Sequence, residues 1–259
     1  MKISKEIIDK IFPIIKEAGD NLKKNFKLPK EYISYENHDI KLELDLKTEL
    51  FLKNELSLLF PDFDFIAEES ANETIEKEDT FYWVIDPIDG TSNYFQQIPH
   101  FCISVALRKN GENILGIIYD IFRDELFWAI KGNGAYLNGK RLQIKEIPLD
   151  KSFCVIGLYK TEETIKKASS LLEEIAKTFH KVRITGSAAL DLAWLACNRF
   201  QGFLEYGIRL WDVAAGEVIV KEAGGNIILK PFGSEKFSYL IIGGTKKAVD
   251  ALLNKILKS

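Results

Sequence analysis

Apolar residues near the start of the chain recur at helical spacing. Ile3, Ile7, Ile8, Ile11, Ile14, Ile15, Ala18 and Leu22 fall on one face, which predicts an amphipathic helix. Pro13 lies inside that run and is expected to kink the helix or mark a restart. The stretch from Glu31 to Glu43 has no clear period and reads as a mobile loop or a ragged strand pair. A second helix is expected from Asp45 to Leu59, with Leu46, Leu50, Leu56 and Leu59 inward and Pro61-Asp62 as its stop. The pattern then turns to strands. Phe63 to Ile66 and Tyr82 to Ile85 are short apolar runs. Cys102 to Arg108, Ile114 to Tyr119 and Glu125 to Ala129 read as successive antiparallel strands, with turns at Asn110-Gly111 and near Arg123-Asp124. Beyond about residue 150, strands and helices alternate. Strands at Phe153 to Ile156, Val182 to Ile184 and Gly202 to Glu205 precede helices at Glu162 to Phe179, Ser187 to Asn198 and Asp212 to Glu222. Strands near Ile227 and Leu240 and a helix from Lys246 complete the pattern.

This order predicts a single unit over 1–259, built from an α+β half with antiparallel strands (1–150) and an α/β half (151–259). Composition agrees with a globular chain. It has 259 residues, 46% hydrophobic and 28% charged, with a net charge of −3. The acidic excess argues against a nucleic-acid partner. No apolar run approaches the roughly 18 residues that span a bilayer, and the first residues lack the apolar core of a signal peptide. The expected location is therefore cytoplasmic, with no membrane partner. Cys102, Cys154 and Cys197 are widely spaced in apolar surroundings and read as buried hydrophobes. With His38, His100 and His180 scattered, any metal here should be hard and oxygen-bound.

The most informative segment is Trp83-Val84-Ile85-Asp86-Pro87-Ile88-Asp89-Gly90-Thr91-Ser92-Asn93-Tyr94. An apolar strand runs into two carboxylates three residues apart. Pro87 fixes the backbone between them and Gly90 permits a sharp turn. This arrangement can aim both carboxylates and the carbonyl of Ile88 at one point, as Mg²⁺ requires. The N–H groups of Gly90 and Thr91, where a helix can begin, suit a phosphate. Alone, the segment is more often a capped turn. Two other segments change that balance: Ala67-Glu68-Glu69 just upstream, and Trp211-Asp212 opening a small-residue helix at Ala214-Ala215-Gly216. Asp86 and Asp89 are not two residues apart as in a haloacid-type phosphatase, and no Walker or dinucleotide glycine loop occurs.

Taken together, these segments resemble the inositol monophosphatase family of Mg²⁺-dependent, lithium-sensitive phosphatases, over nearly the whole chain. Asp86-Pro87-Ile88-Asp89-Gly90-Thr91 resembles the family's first signature. Trp211-Asp212 through Ala214-Ala215-Gly216 to Glu222-Ala223-Gly224-Gly225 resembles the second. Ala67 stands where the family usually has Gly, Gln96 where it often has His, and Leu44 where it has a small polar residue. The resemblance implies a layered αβαβα sandwich of the sugar-phosphatase type. It implies two or three Mg²⁺ ions per active site and a homodimer. Glu68, Asp86, the carbonyl of Ile88, Asp89 and Asp212 would hold metal, and Asp45 would support a third ion. Glu68 and Thr91 would orient or deprotonate the attacking water, with Asp89 also catalytic. Gly90, Thr91 and Ser92, with Asp89 and Asp212, would meet the phosphate. Gly186, Ser187, Ala188 and Glu205 would meet the rest of the substrate, a small phosphorylated polyol or sugar.

The expected reaction is hydrolysis of a phosphate monoester by metal-activated water, most simply of inositol monophosphate. A dual inositol monophosphatase and fructose-1,6-bisphosphatase, or an adenosine 3′,5′-bisphosphate phosphatase, is the alternative activity. Arg183 and Arg209 could bind a second phosphate, although surface pairing is the simpler role for both. A catalytically weak binding or regulatory protein is the alternative of another class.

Overall fold

Alternation along the strands sorts the side chains into three buried layers. The computed structural model describes residues 3–29, 32–36, 39–69, 76–159 and 161–257. In chain order the elements begin with α1 (Lys5–Asn25), β1 (Tyr32–Glu36), β2 (Asp39–Leu42), α2 (Glu43–Leu59), β3 (Asp64–Ala67), β4 (Phe81–Asp89) and α3 (Thr91–Phe95). A meander follows: β5 (Cys102–Lys109), β6 (Glu112–Asp120), β7 (Glu125–Ile130), β8 (Gly134–Leu137) and β9 (Lys140–Arg141). Then come β10 (Phe153–Ile156), α4 (Glu162–Thr178), β11 (Lys181–Arg183), α5 (Ala188–Ala196), β12 (Gly202–Arg209), α6 (Leu210–Glu222), β13 (Asn226–Pro231), β14 (Ser238–Gly244) and α7 (Lys246–Ile256).

Strands β3 to β9 form a seven-stranded sheet in chain order, and a five-stranded sheet has the order β11-β10-β12-β14-β13. Successive strand residues point to opposite faces. Trp83, Ile85 and Ile117 therefore meet α1 and α2 on the outer side of the large sheet. Val84, Ala106, Ile118 and Phe127 meet α5 and α6 on its inner side. Val155 and Phe203 close that inner layer from the second sheet, while Cys154, Ile156, Leu204 and Ile242 face α4 and α7. The result is the expected αβαβα stack. Helices α5 and α6 lie between two sheets, so they are buried nearly all round, as a central helix must be.

The small residues of α6 serve this layer. A Cβ added to Gly116 of β6 would stand 2.3 Å from the carbonyl oxygen of Ala215, and one added to Gly216 would stand 2.5 Å from Leu192 of α5. Helix backbone therefore lies directly on strand backbone, which fixes where Asp212 emerges.

Several sequence expectations change. The α1 helix continues through Pro13, which therefore marks no restart. Pro13 sits on the exposed face, where water can take the carbonyl that the missing N–H leaves unbonded. In α2, Leu46, Leu50 and Leu59 are not inward: they are 38%, 60% and 42% exposed. The buried face carries Asp45, Thr48, Glu49, Leu52 and Leu56 instead. Its polar end borders the acidic pocket described below, so the inward stripe of this helix is partly charged. The ragged segment is the antiparallel pair β1 and β2. Positions 31, 37 and 38 of the Glu31 to Glu43 stretch lie outside the described residues. All three cysteines are free, with Cys102 and Cys154 buried. Among the described residues, no helix is long and apolar enough to cross a membrane.

Candidate functional site

Strand register brings the first two segments together. β3 and β4 run parallel with Ala67 beside Ile85, so the next residue on each strand sets Glu68 level with Asp86. β4 pairs antiparallel with β5 as far as Asp86 and Ser104. The register then shifts, and Asp89 meets Cys102. This irregularity at Pro87-Ile88 keeps both carboxylates at one end of the strand. Asp86 folds back so that its Oδ1 accepts the N–H of Ile88 at 2.9 Å. Gly90 then turns the chain with φ +95°, a region L side chains rarely enter. α3 begins at Thr91, leaving the first N–H groups of that turn without helical acceptors.

The third segment arrives through α6. Ser104 Oγ donates to the carbonyl of Trp211 at 3.2 Å, which holds the start of α6 against β5. Asp212 is the third residue after the N-cap Arg209, and its Oδ2 accepts the N–H of Arg209 at 3.0 Å, the backward bond of a capping box. It also faces the cluster. Asp86, Asp89 and Asp212 each offer one oxygen within 4.8 Å of the other two.

Asp89 links the two halves of the chain. Its Oδ2 accepts from the Ser187 hydroxyl, from Ala189 N at 3.0 Å and from Leu190 N at 3.4 Å. Its Oδ1 accepts from Ala188 N at 3.2 Å. The N-terminus of α5 thus holds a carboxylate, where helix dipole and free N–H groups favour one. The Cys102 thiol donates to the same Oδ2 at 3.5 Å. These donors use up Oδ2, but Oδ1 accepts only the N–H of Ala188 and keeps a lone pair free. Asn93 secures the facing turn: its amide donates to the carbonyls of His100 at 2.7 Å and Thr185 at 2.9 Å.

Thr91 and Asp45 lie on the other side. Thr91 Oγ1 is 2.9 Å from the carbonyl of Ile88 and 3.4 Å from Asp45 Oδ1. Asp45 is buried and its Oδ2 accepts the N–H of Leu42 at 2.7 Å. Glu68 is anchored through its neighbour: Glu69 N donates to Glu49 Oε2 at 3.0 Å, Glu49 pairs with Lys53 at 2.7 Å, and Glu69 pairs with Lys41. Ser92 is exposed at the rim.

Electrostatics show that these acids share one pocket. Burial raises the Asp86 pKa well above the usual carboxylate range, and the charges of Glu68, Asp89, Asp212 and Asp45 raise it further. Burial raises Asp89 too, opposed by the hydrogen bonds from Ser187 and the α5 backbone. Asp212 rises to about 7 through burial and the charge of Asp89. Glu205 is pushed well up by burial, then by Asp212, Asp191 and Asp89. At an effective dielectric near 20, two like charges 4 Å apart repel by about 4 kcal/mol. Buried carboxylates so placed need protons or a cation between them. Hard oxygen donors converging from three segments fit Mg²⁺.

The structure therefore brings together Glu68, Asp86, Asp89, Asp212 and Asp45, with Ile88, Gly90 and Thr91 between them and Gly186, Ser187, Ala188 and Glu205 opposite. Arg183 and Arg209 are engaged elsewhere. Arg209 bonds Tyr159 OH at 2.9 Å and pairs with Glu235, while Arg183 lies over the Phe153 ring. Sequence reasoning assigned no part in the site to Ser104 or Asn93, and it read Cys102 only as a buried hydrophobe. Asn93 closes the same segment of sequence, but its partner Thr185 is about ninety residues away.

The inositol monophosphatase family matches residues 3–258. The Nus factor SuhB of Salmonella typhimurium is 35% identical over 244 residues, covering 92% of this chain and 91% of that protein. Inositol monophosphatase 1 of Solanum lycopersicum is 36% identical over 226 residues, covering 85% and 82%. Among solved structures, the extragenic suppressor protein suhB from Bartonella henselae has a TM-score of 0.89 at 31% identity, covering 98% of this chain and 99% of that one.

Proposed function

Since the chain belongs to the inositol monophosphatase family, we propose that it is a Mg²⁺-dependent phosphatase that hydrolyses a small phosphate monoester, inositol monophosphate first among them. The observation that carries this reading is the trio of carboxylates from β4 and α6 whose oxygens lie within 4.8 Å. Asp86, Asp89, Asp212, Glu68 and the carbonyl of Ile88 would hold the metal, with Asp45 near a further ion. A divalent cation in such a site supplies positive charge to the phosphoryl oxygens and makes water a better nucleophile near neutral pH.

The chain's own groups do the rest. Glu68, beside Asp86, takes the proton of the attacking water. The Thr91 hydroxyl, held between Ile88 O and Asp45, orients that water. Backbone N–H groups of Gly90, Thr91 and Ser92 at the start of α3 hold the phosphate. Gly186, Ser187 and Ala188 form the facing wall, and Asn93 fixes its distance. Among the described residues, no donor bonds the Glu205 carboxyl, so it is available to substrate hydroxyls. A carboxyl there disfavours a second phosphate, and the engagement of Arg209 and Arg183 removes two candidates for binding one. Both points support a polyol monophosphate over a bisphosphate.

Phosphate release from inositol 1-phosphate, fructose 1,6-bisphosphate and adenosine 3′,5′-bisphosphate, each with and without Mg²⁺, tests the reading. The inositol ester is expected to give the highest kcat/KM, release is expected to require Mg²⁺, and lithium is expected to inhibit it. Faster turnover of either bisphosphate would overturn the substrate assignment. No release from any ester would favour a binding or regulatory protein, a reading that similarity to a protein named as a Nus factor also supports.

A further inference from the structure

β10 and β12 run parallel with Ile156 beside Leu204, and Gly157 N donates to Leu204 O at 2.9 Å. The register therefore sets Gly157 beside Glu205. Ile156 and Leu204 point to the α4 and α7 side, whereas Val155 and Phe203 point inward. By alternation, Gly157 and Glu205 share the inward face. The Glu205 side chain lies directly across the glycine. A Cβ at position 157 would stand 1.8 Å from Glu205 Oε2 and 2.1 Å from its Cδ, far inside ordinary contact of about 3.5 Å. The backbone at 157 is not left-handed, so conformational freedom does not explain the glycine. What it provides is space. With no donor among the described residues bonding the carboxyl, it is held by packing, and it occupies the space that a side chain at 157 would fill.

We propose that Gly157 is a specificity-determining residue, which by lacking a side chain lets the Glu205 carboxyl lie where substrate hydroxyls meet it. The proposal rests on the reading of Glu205 given above. An alanine would push the carboxyl aside by about 1.5 Å, beyond hydrogen-bond tolerance, while leaving the metal-binding acids in place.

The test compares wild type, Gly157→Ala, Glu205→Ala and the double variant on two substrates with Mg²⁺: inositol 1-phosphate and p-nitrophenyl phosphate, which has no polyol hydroxyls. Gly157→Ala is expected to lower the ratio of kcat/KM for inositol 1-phosphate to that for p-nitrophenyl phosphate by about tenfold, the loss of one hydrogen bond, chiefly through KM. The double variant is expected to match Glu205→Ala alone. A crystal structure of Gly157→Ala should show the Glu205 carboxyl displaced. An equal loss on both esters, an unchanged ratio, or additive effects in the double variant would overturn the proposal. Should Gly157→Ala fail to fold, the double variant decides: restored folding supports the clash, and continued unfolding overturns it. If wild type hydrolyses both esters but Glu205→Ala leaves their ratio unchanged, the assignment of Glu205 fails, and the role of the glycine with it.

Discussion

Asp212→Asn is expected to lower kcat/KM for Mg²⁺-dependent phosphate release by on the order of 10³-fold or more, without loss of thermal stability. The reason lies in how Asp212 divides its two oxygens. Oδ2 accepts the N–H of Arg209, and an asparagine carbonyl can keep that bond. The other oxygen faces Asp86 and Asp89, and there an amide NH₂ cannot serve as a metal ligand. Removing one charge from a buried cluster also relieves repulsion, so the metal-free variant should melt at or above wild type near pH 8. Steady-state kinetics and a thermal melt check both parts; activity within tenfold of wild type contradicts the shared-carboxylate site. Asp89→Asn should differ. Both of its oxygens accept N–H groups of α5, so the new NH₂ must oppose one of them. That variant should lose activity and also about 1–3 kcal/mol of stability.

The second large effect is on pH. Without metal, Asp212 holds its proton up to about 7 and Asp86 is raised as well, mainly by burial. In the unfolded chain these acids ionise near 4. Between roughly pH 4 and 7 the folded state therefore binds more protons than the unfolded state, and stability falls as pH rises. Asp191, raised by burial to about 6, contributes with the same sign. In the presence of a chelator, the protein should melt higher at pH 5.5 than at pH 8. A cation must displace these protons, so Mg²⁺ affinity should rise about tenfold per pH unit for each proton released, and level off above the raised pKa values. Calorimetric titration at pH 6, 7 and 8 in buffers of different ionisation enthalpy measures both the affinity and the protons released. A flat affinity with no proton release would contradict the account.

The sequence shows some of this site clearly. Asp86 and Asp89 are legible because Pro87 and Gly90 leave the backbone few choices. The alternation of strands and the 3.6-residue periods locate nearly every element of the two sheets. α2 is misread for a physical reason: its buried face borders the acidic pocket, so Asp45, Thr48 and Glu49 turn inward while Leu46 and Leu50 face solvent. Hydrophobic periodicity cannot anticipate a helix whose inward stripe is charged. The link from Asp89 to Ser187 and the start of α5 spans about a hundred residues, and spacing carries no signal for it. The same holds for Ser104, whose bond to Trp211 seats Asp212. Gly157 looks like any strand-end glycine until the parallel register sets Glu205 against it.

The central claim is that Asp86, Asp89 and Asp212 gather a divalent cation. Anomalous diffraction from crystals soaked in Mn²⁺, a stand-in for Mg²⁺ that scatters anomalously at diffraction wavelengths and has the same preference for oxygen ligands, tests it most directly. The account predicts at least one anomalous peak within coordinating distance of all three carboxylates, with Glu68 or the Ile88 carbonyl beside it. Full soaking with no peak in that pocket, or peaks only at surface acids, would contradict it.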